Sequence, residues 1–144
     1  MKTSNLFSTF LLLLFCQSLA FGQMSSKTLV KSFNLQGLQT IDLQLDGHVE
    51  IQEWDNDIVR IQMTITSDNM AESTLKSLIK AGRYNIKSVE EKDAVKIYLP
   101  GVEREIRIKG TPINDDITYI INVPSSIFVK QADDTAAAFE QKPK

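Results

Sequence analysis

From Thr40 onward the chain reads mostly in twos. "TIDLQLDG" places Ile41, Leu43 and Leu45 on one side and Asp42, Gln44 and Asp46 on the other. A strand with one buried face requires that period, because successive side chains point to opposite faces. "VEI" continues it with Val49 and Ile51, and past a short acidic stretch Val59, Ile61, Met63 and Ile65 alternate with Arg60, Gln62, Thr64 and Thr66. Upstream, "KTLVKSFNLQGL" holds Leu29, Phe33, Leu35 and Leu38, a weaker opening strand ending near Gly37. Downstream, Tyr84 with Ile86, Val95 with Ile97 and Leu99, Ile106 with Ile108, and Ile117 with Tyr119, Ile121 and Val123 each predict a strand, and "IFVK" predicts a short last one. "EEKD" and "PG" read as turns, and "GTPINDD" as a loop.

One segment breaks the rhythm. In "SDNMAESTLKSLIKAGRY", Ala71, Leu75, Leu78 and Ile79 fall on a single helical face. Asn69 followed by Glu72 has the spacing of a capping box, and Gly82 can take the left-handed conformation that stops a helix. The pattern therefore predicts a mainly β fold: about eight or nine short strands in a compact β-sandwich or a short solenoid-like stack, with one amphipathic helix over about residues 69–81.

The first residues obey different rules. Lys2 precedes the apolar run "LFSTFLLLLF" and then "CQSLAFGQ", the layout of a secretory signal peptide over residues 1–22. The run is too short to span a bilayer, which takes roughly 20 apolar residues. Ala20 and Gly22 fit a small-x-small cut, giving a mature chain from Gln23; a cut after Ala20 is the alternative. Lipidation at Cys16 would require a small residue before it, and Phe15 stands there. Cys16 is the single cysteine, so the mature chain enters an oxidising compartment with no disulfide and depends on packing alone. The organisation expected is a signal peptide, one β-rich domain over residues 23–130, and a frayed tail over 131–144 without periodicity. The exported protein would be periplasmic, extracellular or on the cell surface.

Charge narrows the partners. The 144-residue chain carries 16 basic and 18 acidic side chains; removing Lys2 with the signal leaves 15 against 18, a net charge of −3. A nucleic-acid partner would want a basic stripe, so none is expected. No aromatic-and-lysine belt marks a membrane surface, and no stable membrane insertion is expected once the signal is removed.

The order of these pieces carries a resemblance. A strand ending in "DG", then "VEIQEWDNDIVRIQMTI", a helix, "VKIYLPG" and "ITYIINVPSSIFVK" resembles the putative-adhesin family of unknown function found in secreted bacterial proteins, related to the head domains of putative autotransporter adhesins. The match covers about residues 33–130. Family members continue past the "VP" turn into glycine-punctuated strands stacked as a β-helix, whereas this chain has a polar tail there. The resemblance implies a secreted β architecture, the entry half of a solenoid, and an adhesion or envelope role toward an unknown protein or glycan. It carries no catalytic residues. An unfinished solenoid exposes backbone donors and acceptors, so either the chain closes as a sandwich or a partner covers the edge.

The candidate chemistry is sparse. Asp55 and Asp57, with Glu53 nearby, could hold calcium, but "WDNDI" lacks the turn glycine of a calcium loop and Val59 stands where a third ligand should be. A hairpin tip anchored by Trp54, the only tryptophan, accounts for it instead. His48 has no second histidine and no mature cysteine to join it in a metal or nucleophile site. Glu103 and Glu105 in "EREIRIK" would lie about 7 Å apart on one strand face, a glycosidase-like separation, yet alternation with Arg104 and Arg107 describes a solvated face. Asp115 and Asp116 read as loop residues. No catalytic, cofactor or metal residue is assigned. Of the aromatics, Tyr84 and Tyr119 fall on apolar parity, while Tyr98, Phe128 and, with them, Ile120 fall on the exposed parity and mark the candidate contact surface.

Overall fold

The computed structural model describes residues 24–131. The signal peptide, Cys16 and the tail beyond Gln131 lie outside the described residues. In chain order the elements are β1 (Ser25–Asn34), β2 (Thr40–Gln44), β3 (His48–Trp54), β4 (Ile58–Ser67), α1 (Glu72–Lys80), β5 (Lys87–Glu91), β6 (Ala94–Tyr98), β7 (Arg107–Ile108), β8 (Thr111–Pro112), β9 (Asp115–Pro124) and β10 (Phe128–Gln131). The fold is mainly β. One four-stranded sheet runs β1-β4-β9-β3 and a second runs β10-β2-β6-β5, while β7 and β8 form a two-stranded ribbon. Both large sheets are mixed: β3 is parallel to β9, and β2 is parallel to both β6 and β10.

The alternating residues do what their period demands. Val59, Ile61, Met63 and Ile65 on β4 have no solvent exposure, and Ile41, Ile97 and Ile121 match them. These side chains come from both four-stranded sheets and join in one core cluster, so the sheets pack face to face. Removing each from water contributes about 1.5–3 kcal/mol, which in the expected absence of a disulfide is the main force on the fold. On α1, Leu75 is fully buried and Leu78 and Ile79 pack partly against the same cluster.

Helix α1 stops as the sequence implies. Gly82 takes φ +86°, its N–H donates to the Ile79 carbonyl at 3.0 Å, and the Arg83 N–H donates to the Leu78 carbonyl at 3.1 Å. That is the two-bond closure of a left-handed C-terminus. The start differs from expectation. Ala71 is the N-cap and no side chain caps it. Asn69 instead pins the preceding segment to another loop: its Oδ1 accepts from the Ser67 hydroxyl and from the Asn114 N–H, each at 3.1 Å, and its Nδ2 donates to the Pro112 carbonyl at 3.1 Å. A side chain saturated by these tertiary bonds has none left for a capping box.

Four further expectations are corrected. Tyr84 and Ile86 are buried but precede β5, whose five residues are all exposed. "VEREIRIK" supplies only the two residues of β7, so Glu103 and Glu105 lie outside any strand. Asp115 and Asp116 open β9 rather than belonging to a loop, and Gln131 ends β10 rather than starting the tail.

Candidate functional site

The acidic stretch "WDNDI" does not turn a hairpin. A two-stranded hairpin folded about Asn56 would pair Glu50 with Gln62 and Ile51 with Ile61. Instead β9 lies between β3 and β4: Glu50 is in register with Ile120 and Ile120 with Gln62; Ile51 is in register with Ile121 and Ile121 with Ile61. Residues 55–57 therefore arch across two strand spacings, about 9.6 Å. Four residue steps from Trp54 to Ile58 reach about 13 Å when extended, so the arch fits without strain. Pro124, in register with Trp54, ends β9 beneath it, and proline has no N–H to continue the ladder. The arch is closed by the half-buried Trp54, whose indole N–H donates to the Ile58 carbonyl at 2.9 Å. The Asp57 N–H donates to Asn56 Oδ1 at 2.9 Å. Trp54 thus closes an arch and not a hairpin.

Interposing β9 leaves β3 at the margin of its sheet. Among the described residues no strand pairs with its outer side, so half of its backbone groups face outward unpaired. Ile51 has the parity of the core residue Ile121 yet is 41% exposed. From Asp46 to Asp57 the chain carries Asp46, Glu50, Glu53, Asp55 and Asp57 with no lysine or arginine, and all five are exposed. The Gln52 amide donates to Glu50 at 2.8 Å, and Asn122 donates to Gln52 at 3.2 Å, fixing the outer face of β3 against β9. Gly47, which opens the strand, has φ +126°, and a Cβ there would lie 2.2 Å from the Ile117 carbonyl oxygen. Only glycine lets β2 cross into β3 so close to β9.

The other margins are defended. On β1, Lys27 and Lys31 take the inward parity of Ile65 and Ile61, and Lys31 Nζ donates to Asn85 Oδ1 at 3.1 Å and to the Ile86 carbonyl. Lys27 also approaches Glu72 of α1 at 3.8 Å. Inward charges and a covering helix are standard ways to blunt an edge. β5 is five residues with three charges, and β10 is four residues carrying Lys130. β3, seven residues long, is the least protected edge.

A second cluster was not visible in the sequence. Arg83 is buried, and its Nε and Nη2 donate to the two carboxylate oxygens of Asp115 at 3.1 and 3.4 Å. Its Nη1 donates to the carbonyls of Gly101 at 3.0 Å and Arg104 at 2.8 Å. The Tyr84 hydroxyl donates to Asp115 Oδ2 at 2.8 Å. Burial and then the Asp115 carboxylate push the Tyr84 hydroxyl up to about 12. All the polar groups here are paired with one another, so the cluster ties the end of α1, the start of β9 and the 101–106 loop together. Nothing in the motif-poor "AGRY" distinguishes Arg83 from a surface arginine.

The predicted contact residues do not form one surface. Phe128 is 61% exposed and Ile120 is 37% exposed, but Ile120 lies on the outer face of the first sheet and Phe128 on that of the second. Tyr98 shares the second face, where Lys96 Nζ stands 5.9 Å from its ring. It aligns with Gln44, whereas Phe128 aligns with Thr40, about 13 Å farther along β2. Tyr119 and Tyr84 are buried and belong to the core. His48 is exposed at the start of β3. Glu105 pairs with Arg107 at 2.5 Å on the surface. Among the described residues no group of three or more His, Cys, Asp or Glu could hold a metal ion, and no helix is long and apolar enough to cross a membrane.

No family model matches the chain, and no curated protein matches it. Among solved structures, it is similar to a putative cell adhesion protein from Clostridium sporogenes ATCC 15579, with a TM-score of 0.39 and 13% identity over 74% of this chain and 46% of that one. It is also similar to a putative adhesin from Bacteroides fragilis NCTC 9343, with a TM-score of 0.39 and 12% identity over 74% of this chain and 41% of that one. The chain spans less than half the length of either protein.

Proposed function

We propose that this is an exported, non-enzymatic adhesin-like domain that presents a β edge or surface to a macromolecular partner at the cell envelope. The observation that carries the reading is the open β3 edge, which among the described residues has neither the inward lysines and covering helix of β1 nor the shortness of β5 and β10. A strand edge recognises an extended partner through backbone hydrogen bonds, with alternate side chains setting specificity. Such a site needs no catalytic groups. The buried Arg83–Asp115–Tyr84 cluster, the most elaborate polar arrangement in the described chain, is spent on holding loops together.

The alternative is a periplasmic accessory protein that binds a small apolar ligand or regulates an envelope-stress system. Among the described residues, one cavity of about 220 Å³ is lined by residues that include Leu29, Met63, Tyr84 and Ile86, and another is about 180 Å³. Ligand pockets usually run from about 300 to 1,000 Å³, so the edge is the better-supported site. Protease treatment of intact cells separates the readings. A surface adhesin is removed; a periplasmic factor survives until the outer envelope is opened, and that survival would reject the first reading.

A further inference from the structure

We propose that the open edge of β3 receives, by strand addition, an extended peptide of alternating apolar and basic residues. The inference rests on the reading above and names the occupant of its edge. Three observations converge. The outer side of His48–Trp54 has no strand partner among the described residues, which leaves seven residues of ladder to fill. Ile51 stands on the core parity with 41% of its surface exposed, so the edge lacks apolar cover where a neighbouring strand would supply it. Five exposed carboxylates flank or line the strand with no lysine or arginine among them. The nearest cation in register on the same sheet face, Arg60, is two strands away across Asn122.

The charges select among possible occupants. A second copy pairing through its own β3 would bring two such acidic strands together, and like charges across a sheet repel. Residues 132–144 of this chain carry Asp133, Asp134 and Glu140 against Lys142 and Lys144, so they offer no excess of positive charge. A basic, alternating peptide fits this edge: its backbone completes the ladder, its apolar side chains cover Ile51 on one face, and its basic side chains line up beside Glu50 on the other.

The test uses the purified full chain and a synthetic, capped Lys–Val alternating heptapeptide, which contains no aromatic residue. Trp54, at the end of β3, is the only tryptophan and reports binding by fluorescence, with calorimetry as a second readout. Saturable binding is expected. It should weaken at least ten-fold in Glu50→Lys and in Ile51→Lys, exposed positions where an unchanged melting temperature verifies the fold. N-methylating one alternate set of peptide amides should abolish binding, while methylating the other set should be tolerated, because only one set faces the edge. Equal binding by both methylated peptides, or by a Glu–Val peptide, would overturn the proposal. So would dimerisation through β3 that the Lys–Val peptide cannot compete away, or binding seen only after residues 132–144 are deleted. If the peptide fails while Ile120→Ser or Phe128→Ser abolishes attachment of the protein to its target surface, the broader reading stands and this inference falls.

Discussion

Arg83 and Asp115 hold each other out of solvent, with side chains only 6% and 12% exposed and Nη2 3.1 Å from Oδ2. The pair joins the residue after the helix stop to the first residue of β9, which are 32 positions apart in the chain. Asp115→Ala leaves a buried guanidinium facing only two carbonyls, and the loss of one partner in such a pair typically costs about 3–5 kcal/mol. Urea unfolding of the variant should show a loss in that range. A loss below about 1 kcal/mol, the range of a solvent-exposed pair, would mean the pair is not buried in solution.

Alkaline stability should report the tyrosine beside that pair. Tyr84 ionises at about 12 in the folded chain, raised chiefly by burial and then by Asp115, against about 10 for a free tyrosine. Between those values the unfolded chain has released a proton that the folded chain keeps, so stability falls as pH rises. The contribution is complete below pH 10 and is lost as pH passes 12. Urea midpoints measured from pH 9 to 11.5 should fall less steeply in Tyr84→Phe than in the parent; identical slopes would contradict the assignment. Tyr119, whose buried hydroxyl has no partner among the described residues, is raised further by burial, Asp46 and Asp115. Tyr119→Phe should flatten the same slope at little cost in stability near neutral pH.

Two isoleucines of one parity separate the middle of the sheet from its margin. Ile61 is fully buried on β4, and Ile51, with Ile121 in register between them, is 41% exposed on β3. Ile61→Ala should cost about 2–5 kcal/mol and Ile51→Ala well under half of that, by thermal or denaturant unfolding. Equal costs would show that something covers β3 in the free protein.

Gly47→Ala tests the crossing from β2 to β3. The added methyl group meets the Ile117 carbonyl oxygen, and φ +126° is strained for any other residue. A loss of about 2–3 kcal/mol is expected, with β3 amides exchanging faster than those of β4 by NMR. A neutral substitution would mean that the β2-to-β3 crossing does not pack against the Ile117 carbonyl.

The alternating runs around Ile41, Val59, Val95 and Ile117 showed the strands and the core directly, because burial of one face writes a period of two into the chain. Partnership was not legible in the same way. A hairpin about Asn56 and a β9 strand inserted between its arms give Glu50, Ile51 and Gln52 the same facing residues in order, so the pattern is identical for both. The strand that decides between them lies some 60 residues downstream of the arch. Asn69 and Arg83 were opaque for a related reason. Each acts through atoms brought in by distant segments, and a local capping spacing or a lone arginine does not announce them. The open edge of β3 followed only once β9 had been placed.

Cross-linking tests the arch most directly. In a chain with Cys16→Ser, the pair Glu50→Cys/Ile120→Cys should form a disulfide on mild oxidation, since neighbouring strands lie about 4.8 Å apart, within the reach of the bond. The pair Glu50→Cys/Gln62→Cys should remain reduced, because its Cα atoms stand about 9.6 Å apart with β9 between them. The opposite result, a bond between positions 50 and 62 and none between 50 and 120, would restore the hairpin and close the edge on which the functional reading depends.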